Sequence, residues 1–562
     1  MKNQMCRYGK IIIAQILILV ALGVVMFVAR GRYQQEVSLE SNIELSKGVY
    51  DIVVEYEGAK GDKSWVIPEI SVGEEQYLKF NPLGLSGEVT HIKEKIWVSH
   101  DIESLSLRFA EGEDDCAIQK IVVSRSYSDV VLTVVFLLLA FVVLDVLWFY
   151  HESLEGASRE TFRRVIFGLG MIILASSVPL MTDYVINGAD LVFHLSRIEG
   201  LSEGLLSGQY PVRVQPHWLY GKGYATSVYY SDMFLFVPAM LNILGMPFTD
   251  CYKVYVVLVN VTTIVVAYVC FKRIFGEVKW GFLGAVLYGM APYRLYNMYA
   301  RAAVGEYTAM LFLPLIMAGL YEIYCKNGNR KGKAWLVLAV GLTGIINCHI
   351  LTCEMVGGII ILVCICGIKY TFRKEIFVEL AKAAIATIAI NSWFFVPFLD
   401  YMLNAKLWVN NMSASTTIQK RGMYPAHYFL AALFSGSTTD YDAYGMVNGE
   451  ATTVGIVLFT MLMVFVCKRF IVGREGERQY AGFATVVGAL SGLLIVLTLN
   501  VFPWDSLQSL HGVLGKLISS LQFPFRLLSP LTVLLVAVTI VVCVSLENKK
   551  VQTATVVLLV IA

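Results

Sequence analysis

The chain of 562 residues lacks the signatures of nucleotide and zinc chemistry. It has no Gly-Lys-Ser/Thr phosphate loop, no Rossmann glycine fingerprint and no His-Glu-x-x-His motif, which disfavours ATP-driven transport by this chain alone. Charge is scarce: Asp, Glu, Lys and Arg make up 16% of residues and the net charge is +2, so nothing in the bulk charge calls for a nucleic-acid partner. The eleven cysteines form no framework. Most lie in apolar runs, where Cys behaves as a small hydrophobe. Cys348 and Cys353 have no second pair at zinc-like spacing. Cys116 stands alone in a polar region, so a disulfide-stapled ectodomain is not expected.

What the chain has is apolar length. Hydrophobic residues are 57% of the total and the mean hydropathy is +0.63. Apolar runs of roughly 18 to 23 residues recur between short basic loops, the pattern of a polytopic all-α membrane bundle. The first run, 11–28, follows Lys2, Arg7 and Lys10. It is longer than a signal-peptide core, and Phe27 to Gly31 is a poor cleavage site, so residues 1–31 read as a retained anchor with its N-terminus inside. A second run covers 130–150 and a third 165–180, followed by 252–271, 280–299, 304–324, 335–350, 351–370, 382–402, 450–468, 480–500 and 527–546. The count is about twelve complete spans and the start of another. A chain that stops inside its last apolar stretch, 551–562, is expected to belong to a longer product, which the intact mass of the native protein tests.

Residues 32–128 differ. Apolar positions alternate in Gly48–Glu57 and Ser104–Ala110, between breaks rich in Gly, Asn and Pro, which predicts a small antiparallel β-sandwich. Trp65, Tyr77, Phe80 and Trp97 are candidates for its core, and Glu111 to Asp115 for a solvated turn. A sugar-binding role and a packing or assembly role are both open to it. With no aromatic platform visible in the sequence, the second is favoured.

Loop charges orient the remainder, 129–562. With the N-terminus inside, the inner loops hold Lys272, Arg273 and Lys279; Lys326, Arg330, Lys331 and Lys333; Lys369, Arg373 and Lys374; and Lys468, Arg469, Arg474 and Arg478. The outer loops are longer and poorer in cations, in accord with the positive-inside rule. The β module and the loops 183–250, 403–450 and 501–525 then lie outside. The apolar piece 233–244 is too short and too Pro-interrupted for a span and suits a re-entrant or interfacial helix.

Three constellations in this arrangement carry chemistry. Asp190, His194 and Arg197 are spaced i, i+4 and i+7, one face of a helix in the large outer loop. Such a carboxylate and imidazole act as a base with its orienting partner, or bind one metal ion from adjacent turns. The bland alternative is a hydrated helix with a local salt bridge worth a few tenths of a kcal/mol. Arg294, Arg301 and Glu306 stand where one span leaves the membrane and the next re-enters. An ionisable group there costs about 2.5–3.5 kcal/mol at a helix centre, which makes function the default reading and interfacial snorkelling beside Tyr293, Tyr296 and Tyr299 the alternative. Arg526 is a cation against the positive-inside trend, with a fork that suits phosphate. His349, Glu354 and Asp400 are weaker, and a lone His at a span junction is more often structural.

An opening span, a large outer loop with an acidic motif and many spans with short turns resemble the GT-C glycosyltransferase superfamily. More closely, Gly188 with Asp190, His194 and Arg197, the run Tyr210 to Arg213, the run Tyr229 to Asp232, the run Ala291 to Arg294 with Arg301 and Glu306, and the run Gln522 to Arg526 are similar to bacterial YfhO-like membrane proteins labelled 6-pyruvoyl-tetrahydropterin synthase-related. The pterin label has no counterpart in a soluble-synthase His triad. The resemblance covers about 165–562, and the β module is an addition to the basic plan. It implies a glycosyltransferase in the bacterial cytoplasmic membrane, with its active site outside. A sugar would move from a polyprenyl-phosphate donor to an envelope polymer, lipid or protein, among membrane lipids and without nucleic acid. Asp190 would be the base, His194 its orienting partner or fellow ligand of a divalent cation (Mg or Mn), and Asp232 a second carboxylate. Arg301 or Arg526 would hold the leaving phosphate, Glu306 would orient Arg301, and Arg197, Arg213 and Arg294 are further binding candidates. A lipid-linked glycan transporter or flippase and a non-catalytic envelope-assembly protein are the rivals. The first should show internal repeats, and none is evident.

Overall fold

The computed structural model describes residues 2–30, 33–37, 42–57, 64–72, 76–79, 83–85, 91–98, 101–110, 117–182, 184–216, 218–326, 333–405, 418–429, 452–471, 480–510 and 513–561. Asp183, Phe80, Cys116 and the acidic turn 111–115 lie outside the described residues, as do the side chains of Trp65 and Tyr77.

Seven described helices are long and apolar enough to cross a membrane: Ile11–Val28, Ser128–Glu152, Gly156–Leu180, Phe248–Phe275, Val304–Cys325, Ala481–Thr498 and Pro524–Val544. The protein is a multi-pass membrane protein. Among the described residues the expected dozen spans reduce to seven, or eight if the one bent pair counts as a span, because several apolar runs are broken. The run at 280–299 ends as a helix at Gly289, and a short helix Pro292–Leu295 and a π-turn Tyr296–Ala300 take over. The runs at 335–370 become Ala334–Ile346 and Ile350–Cys366, only about 20 and 26 Å long at 1.5 Å per residue, against a hydrocarbon core of about 30 Å. The run at 382–402 bends by 72° between Lys374–Ile390 and Ser392–Asn404.

Burial follows composition. Pro524–Val544, apolar on every side, is the central helix, with 94% of its apolar window buried. Ile11–Val28 and Ser128–Glu152 are peripheral, at 6% and 11%. They pair with each other, and Gln15 Nε2 donates to Asp145 Oδ1 at 3.0 Å within that pair.

Nine strands lie between these two helices: β1 (Gln34–Val37), β2 (Asn42–Leu45), β3 (Gly48–Glu57), β4 (Ser64–Val72), β5 (Gln76–Lys79), β6 (Leu83–Leu85), β7 (His91–Val98), β8 (Ile102–Ala110) and β9 (Ala117–Ser126). One antiparallel sheet has the order β1-β9-β3-β7 and the other β2-β8-β4-β5, with β6 beside β4. Alternation sets the faces. Tyr50, Ile52 and Val54 of β3 are buried in one cluster with Ile96, Ile121 and Val123, and Ile43 and Leu45 of the second sheet join them. Ile52 lies opposite Val123 and Val54 opposite Ile121, so apolar pairs meet across the strands. Trp97 does not join this core: it packs with Leu132, Leu241, Leu244 and Cys251, against the helices. A Cβ on Gly245 would stand 3.0 Å from Val49 Cγ1, so the far face of β3 also meets the membrane domain.

The basic loops gather at one end of the bundle. Arg273 grips Glu322 with two donors at 2.5 and 2.8 Å. Lys326 Nζ donates to the Arg273 carbonyl at 2.9 Å, and Tyr480 Oη to the Phe275 carbonyl at 3.2 Å.

Candidate active site

The chain from Gly188 to Leu206 forms the first wall. The helix Leu191–Leu206 starts with Asp190 in the N-cap position, so the i, i+4, i+7 spacing becomes a shared face. Two backbone bonds pin its entry to a distant segment: Ala189 N–H to the Ala300 carbonyl (3.2 Å) and Asp190 N–H to the Arg301 carbonyl (2.8 Å). Gly188 is required there, because a Cβ would lie 2.6 Å from Ala302 Cβ and 3.0 Å from its backbone N. Asp190 is half-buried at the mouth, whereas His194 and Arg197 are buried.

Arg197 ties this helix to the run Tyr229 to Asp232. Its Nη2 donates to Asp232 Oδ1 and, at 3.1 Å, to the Ser231 carbonyl, and its guanidinium lies 4.0 Å from the Tyr230 ring centroid. The other Asp232 oxygen accepts from Gln215 Nε2 at 3.3 Å. Asp232 is therefore committed to holding Arg197 in place. Arg197 Nη1 faces His194 Nδ1 at 3.4 Å. A guanidinium only donates, so Nδ1 accepts and any ring proton is on Nε2. Burial, then the charge of Arg197 and the neighbouring His349, holds the His194 pKa well below its ordinary 6.5, and the ring is neutral at pH 7.

The broken helix supplies the second wall. Between Gly289 and Val304 only Pro292–Leu295 keeps α-geometry, and Ala302 takes a left-handed φ of 51°. Irregular backbone at membrane depth is tolerated where protein or a cavity satisfies it. Here Arg301 N–H bonds the Tyr296 carbonyl (3.0 Å), Ala303 N–H bonds the Asn297 carbonyl (2.9 Å), and the Ala300 and Arg301 carbonyls take the two donors from the first wall. The break aims Arg301 at Glu306, whose Oε2 lies 2.8 Å from Nη1. Glu306 Oε1 also accepts from Tyr293 Oη (2.7 Å), Asn297 Nδ2 (3.2 Å) and Ser529 Oγ (2.7 Å). Burial opposes the Arg301 charge, but Glu306 outweighs it with help from Asp190, and the Arg301 pKa is raised.

Arg526 enters from a third segment, just after Gln522, which has a left-handed φ of 59°. It is 8% exposed. Its Nη1 donates to Gln522 Oε1 (3.1 Å) and the Leu521 carbonyl (3.3 Å), while Nε approaches Glu306 Oε2 only to 3.9 Å and has no hydrogen-bond partner.

Tyr230 joins the walls. Its ring sits 6.1 Å from both His194 and His349, and its hydroxyl is packed against Gly305, where a Cβ would be 1.8 Å away. Burial foremost pushes its pKa up to about 12, so the phenol keeps its proton. His349, buried and bonded through Nδ1 to Thr352 Oγ1 at 2.8 Å, stands beside the same ring. Tyr230, Gln215, Ser529 and His349 were not singled out by spacing. Tyr230 lay inside the run Tyr229 to Asp232 that carries the resemblance, His349 stood at a span junction, where the cue favoured a structural role, and Gln215 and Ser529 gave no signal.

Asp190, His194, Arg197, Asp232, Arg301, Glu306 and Arg526 thus come together from three distant stretches. Two further candidates lie elsewhere. Arg294 is fully buried, donating to the Gly289 carbonyl and to Asn260 Oδ1, both at 2.6 Å. It fastens the broken helix to Phe248–Phe275 rather than facing the cluster. Arg213 donates to the Trp393 carbonyl at 2.8 Å and clamps the loop to Ser392–Asn404. Asp190 and His194 do not fit a divalent cation: the Nδ1 of His194 faces a guanidinium, and among the described residues no group of three His, Cys, Asp or Glu side chains could hold a metal.

Fold and site define a multi-pass membrane protein with a buried, arginine-rich polar cluster among broken helices. No family model matches the chain. It is similar to an uncharacterised protein of Lactococcus lactis subsp. cremoris (strain MG1363), 22% identical over 367 residues, which are 63% of this chain and 57% of that protein. The chain thus spans a little over half the length of the curated relative it matches, and the YfhO-like label finds no support there. Among solved structures it is similar to ArnT from Cupriavidus metallidurans bound to undecaprenyl phosphate, at 12% identity over 67% of this chain and 78% of that one, with a TM-score of 0.32. A likeness at that TM-score is too slight to carry a fold or a function across.

Proposed function

We propose that this protein is a GT-C-type glycosyltransferase that moves a sugar from a polyprenyl-phosphate carrier to an acceptor hydroxyl on the outer side of a bacterial cytoplasmic membrane. The observation that supports it most is the state of Arg526. Three buried arginines converge, and two are matched by carboxylates, Arg197 by Asp232 and Arg301 by Glu306. Arg526 is nearly buried, its nearest carboxylate, Glu306, stands 3.9 Å away and is already held by Arg301, and its Nε is unfilled, as is that of Arg197. Burying a cation without full hydrogen bonding is costly, and a phosphate oxygen would supply the missing acceptor with a charge-assisted bond.

In this reading Arg526, with Arg301 beside it, holds the donor phosphate. The acceptor oxygen forms a bond to the anomeric carbon as that carbon's bond to the phosphate oxygen breaks, through a transition state of oxocarbenium character. Asp190, half-buried at the mouth and close enough to Arg301 to support its charge, takes the hydroxyl proton. The electron pair of the broken bond stays on the polyprenyl phosphate, where the arginines stabilise it. Glu306 is a positioning residue that holds Arg301, and Asp232 positions Arg197 and, through it, His194. The arginines carry the charge compensation that a metal ion would otherwise supply. The outward orientation rests on the loop charges, with the N-terminus inside. The β module is taken to be an outer packing element seated on the Gly245 turn.

Binding of polyprenyl phosphate to the detergent-purified protein tests the phosphate site. Arg526→Gln should weaken it by roughly 10- to 100-fold, the loss of a charged hydrogen bond worth about 1.5–3 kcal/mol, while Lys222→Gln, an exposed change, should leave it intact. Equal affinity for wild type and Arg526→Gln removes the phosphate from this site.

A further inference from the structure

A cavity lies away from the polar cluster, towards the basic end of the bundle. Its volume is about 400 Å³ and its walls come from four helices, Leu313–Cys325, Ile350–Cys366, Ala481–Thr498 and Leu528–Val544, with Gly367 and Tyr370 just after the second. The lining is almost wholly apolar: Met317, Ile360, Val486 and Leu534 are representative. It is open on one side. Gly482, in its wall, is exposed, and a Cβ there would meet nothing within 4 Å.

The basic end of this groove has a distinct chemistry. Two tyrosines that line it each carry a cation over the ring, Lys326 over Tyr321 at 5.2 Å and Arg373 over Tyr370 at 4.6 Å. A third, Tyr324, is held by a hydrogen bond of 2.9 Å between its hydroxyl and Thr371 Oγ1. Arg373 is exposed at this rim and Lys369, beside Tyr370 in the chain, is exposed as well, and neither makes an ion pair among the described residues. Of the nearby carboxylates, Glu322 is bound by Arg273, and Glu375 is exposed two residues after Arg373. Aromatic rings with cations above them, at the end of an apolar slot between membrane helices, suit an anionic headgroup at the rim and a chain in the slot.

We infer that this groove binds one anionic phospholipid, with an acyl chain against Gly482 and Val486 and its phosphate at Lys369 and Arg373. On the orientation proposed above, the lipid comes from the cytoplasmic leaflet. The site is separate from the polar cluster, so the lipid is a bound structural partner and not the sugar donor.

The test uses the full chain in detergent, titrated with phosphatidylglycerol or phosphatidylcholine of the same acyl chains and followed by native mass spectrometry. The wild type should bind one phosphatidylglycerol in preference to phosphatidylcholine. Lys369→Gln with Arg373→Gln should erase that preference, an affinity loss of about thirtyfold, equivalent to about 2 kcal/mol for two cations. Both positions are exposed, so folding is spared. Gly482→Leu fills the slot and should abolish binding of either lipid. Undiminished phosphatidylglycerol binding in Gly482→Leu, or equal binding of the two lipids by wild type, overturns the inference. So does a polyprenyl phosphate that Gly482→Leu displaces, which would give the groove to the donor. Failure of the donor site is read separately, from Arg526→Gln.

Discussion

Single side chains in the cluster have opposite tolerances. Arg197 and Asp232 are 1% and 4% exposed and bound to each other, so removing one strands a buried charge. Arg197→Met should cost about 3–5 kcal/mol, and Arg197→Met with Asp232→Leu should cost less than either single change. Thermal unfolding in detergent compares them, and a double variant no better than the singles would show that the pair is not the unit. His194 gives a pH signature. Its folded pKa lies below its usual 6.5, so the unfolded chain binds a proton that the folded chain refuses. The stability it contributes is complete above about pH 6.5 and is lost as pH falls through the folded value. The melting temperature should drop below pH 6.5, and His194→Gln should flatten that part of the profile. Much of this was legible from the chain. Asp190, His194 and Arg197 announced themselves by spacing, and Arg301, Glu306 and Arg526 by being ionisable among apolar runs. Asp232 was legible as a carboxylate but not as a partner of Arg197, because the pairing joins a helix to a loop 35 positions on.

Among the elements, the broken helix between Gly289 and Val304 decides the site. Hydropathy counted residues 280–299 as one span, but Pro292 lacks the N–H a continuous helix needs, and the turns beyond it direct Asn297, Arg301 and Glu306 to one point. Close approach sets Gly305, as it does Gly188. A Cβ on Gly305 would sit 1.8 Å from the Tyr230 hydroxyl and 2.7 Å from the Cys348 carbonyl. Gly305→Ala must therefore displace Tyr230, and with it the ring beneath Arg197. Its expected outcome is loss of function at near-normal expression, whereas Gly357→Ala, with open space around it, should be silent. A functional Gly305→Ala would mean that Tyr230 does not seat the cluster. The sequence did not show what Tyr230 and His349 touch, because their neighbours are set by tertiary contacts such as Ser231 Oγ to Asn347 Oδ1 at 3.0 Å, 116 residues apart.

For the whole molecule, the division into a basic end and a polar-cluster end is the organising fact. The basic loops meet through Lys326, Arg273 and Tyr480, while the large loop 183–250 packs over the broken helix. If the positive-inside rule holds, a cysteine introduced at exposed Lys222 should be labelled by an impermeant thiol reagent in intact cells, and one at Lys369 only after permeabilisation. The reverse pattern would put the cluster on the cytoplasmic side. The class of molecule, a multi-pass membrane protein, was readable from composition. The number of spans was not, since Pro292 and the turn at Asn347 divide helices without interrupting the apolar run.

The most direct test of the central claim is sugar transfer by the purified protein from a labelled polyprenyl-phospho-sugar to an envelope glycan acceptor. The account predicts that Asp190→Asn lowers kcat by about 10²- to 10⁴-fold while polyprenyl phosphate still binds. Unchanged transfer by Asp190→Asn would contradict it.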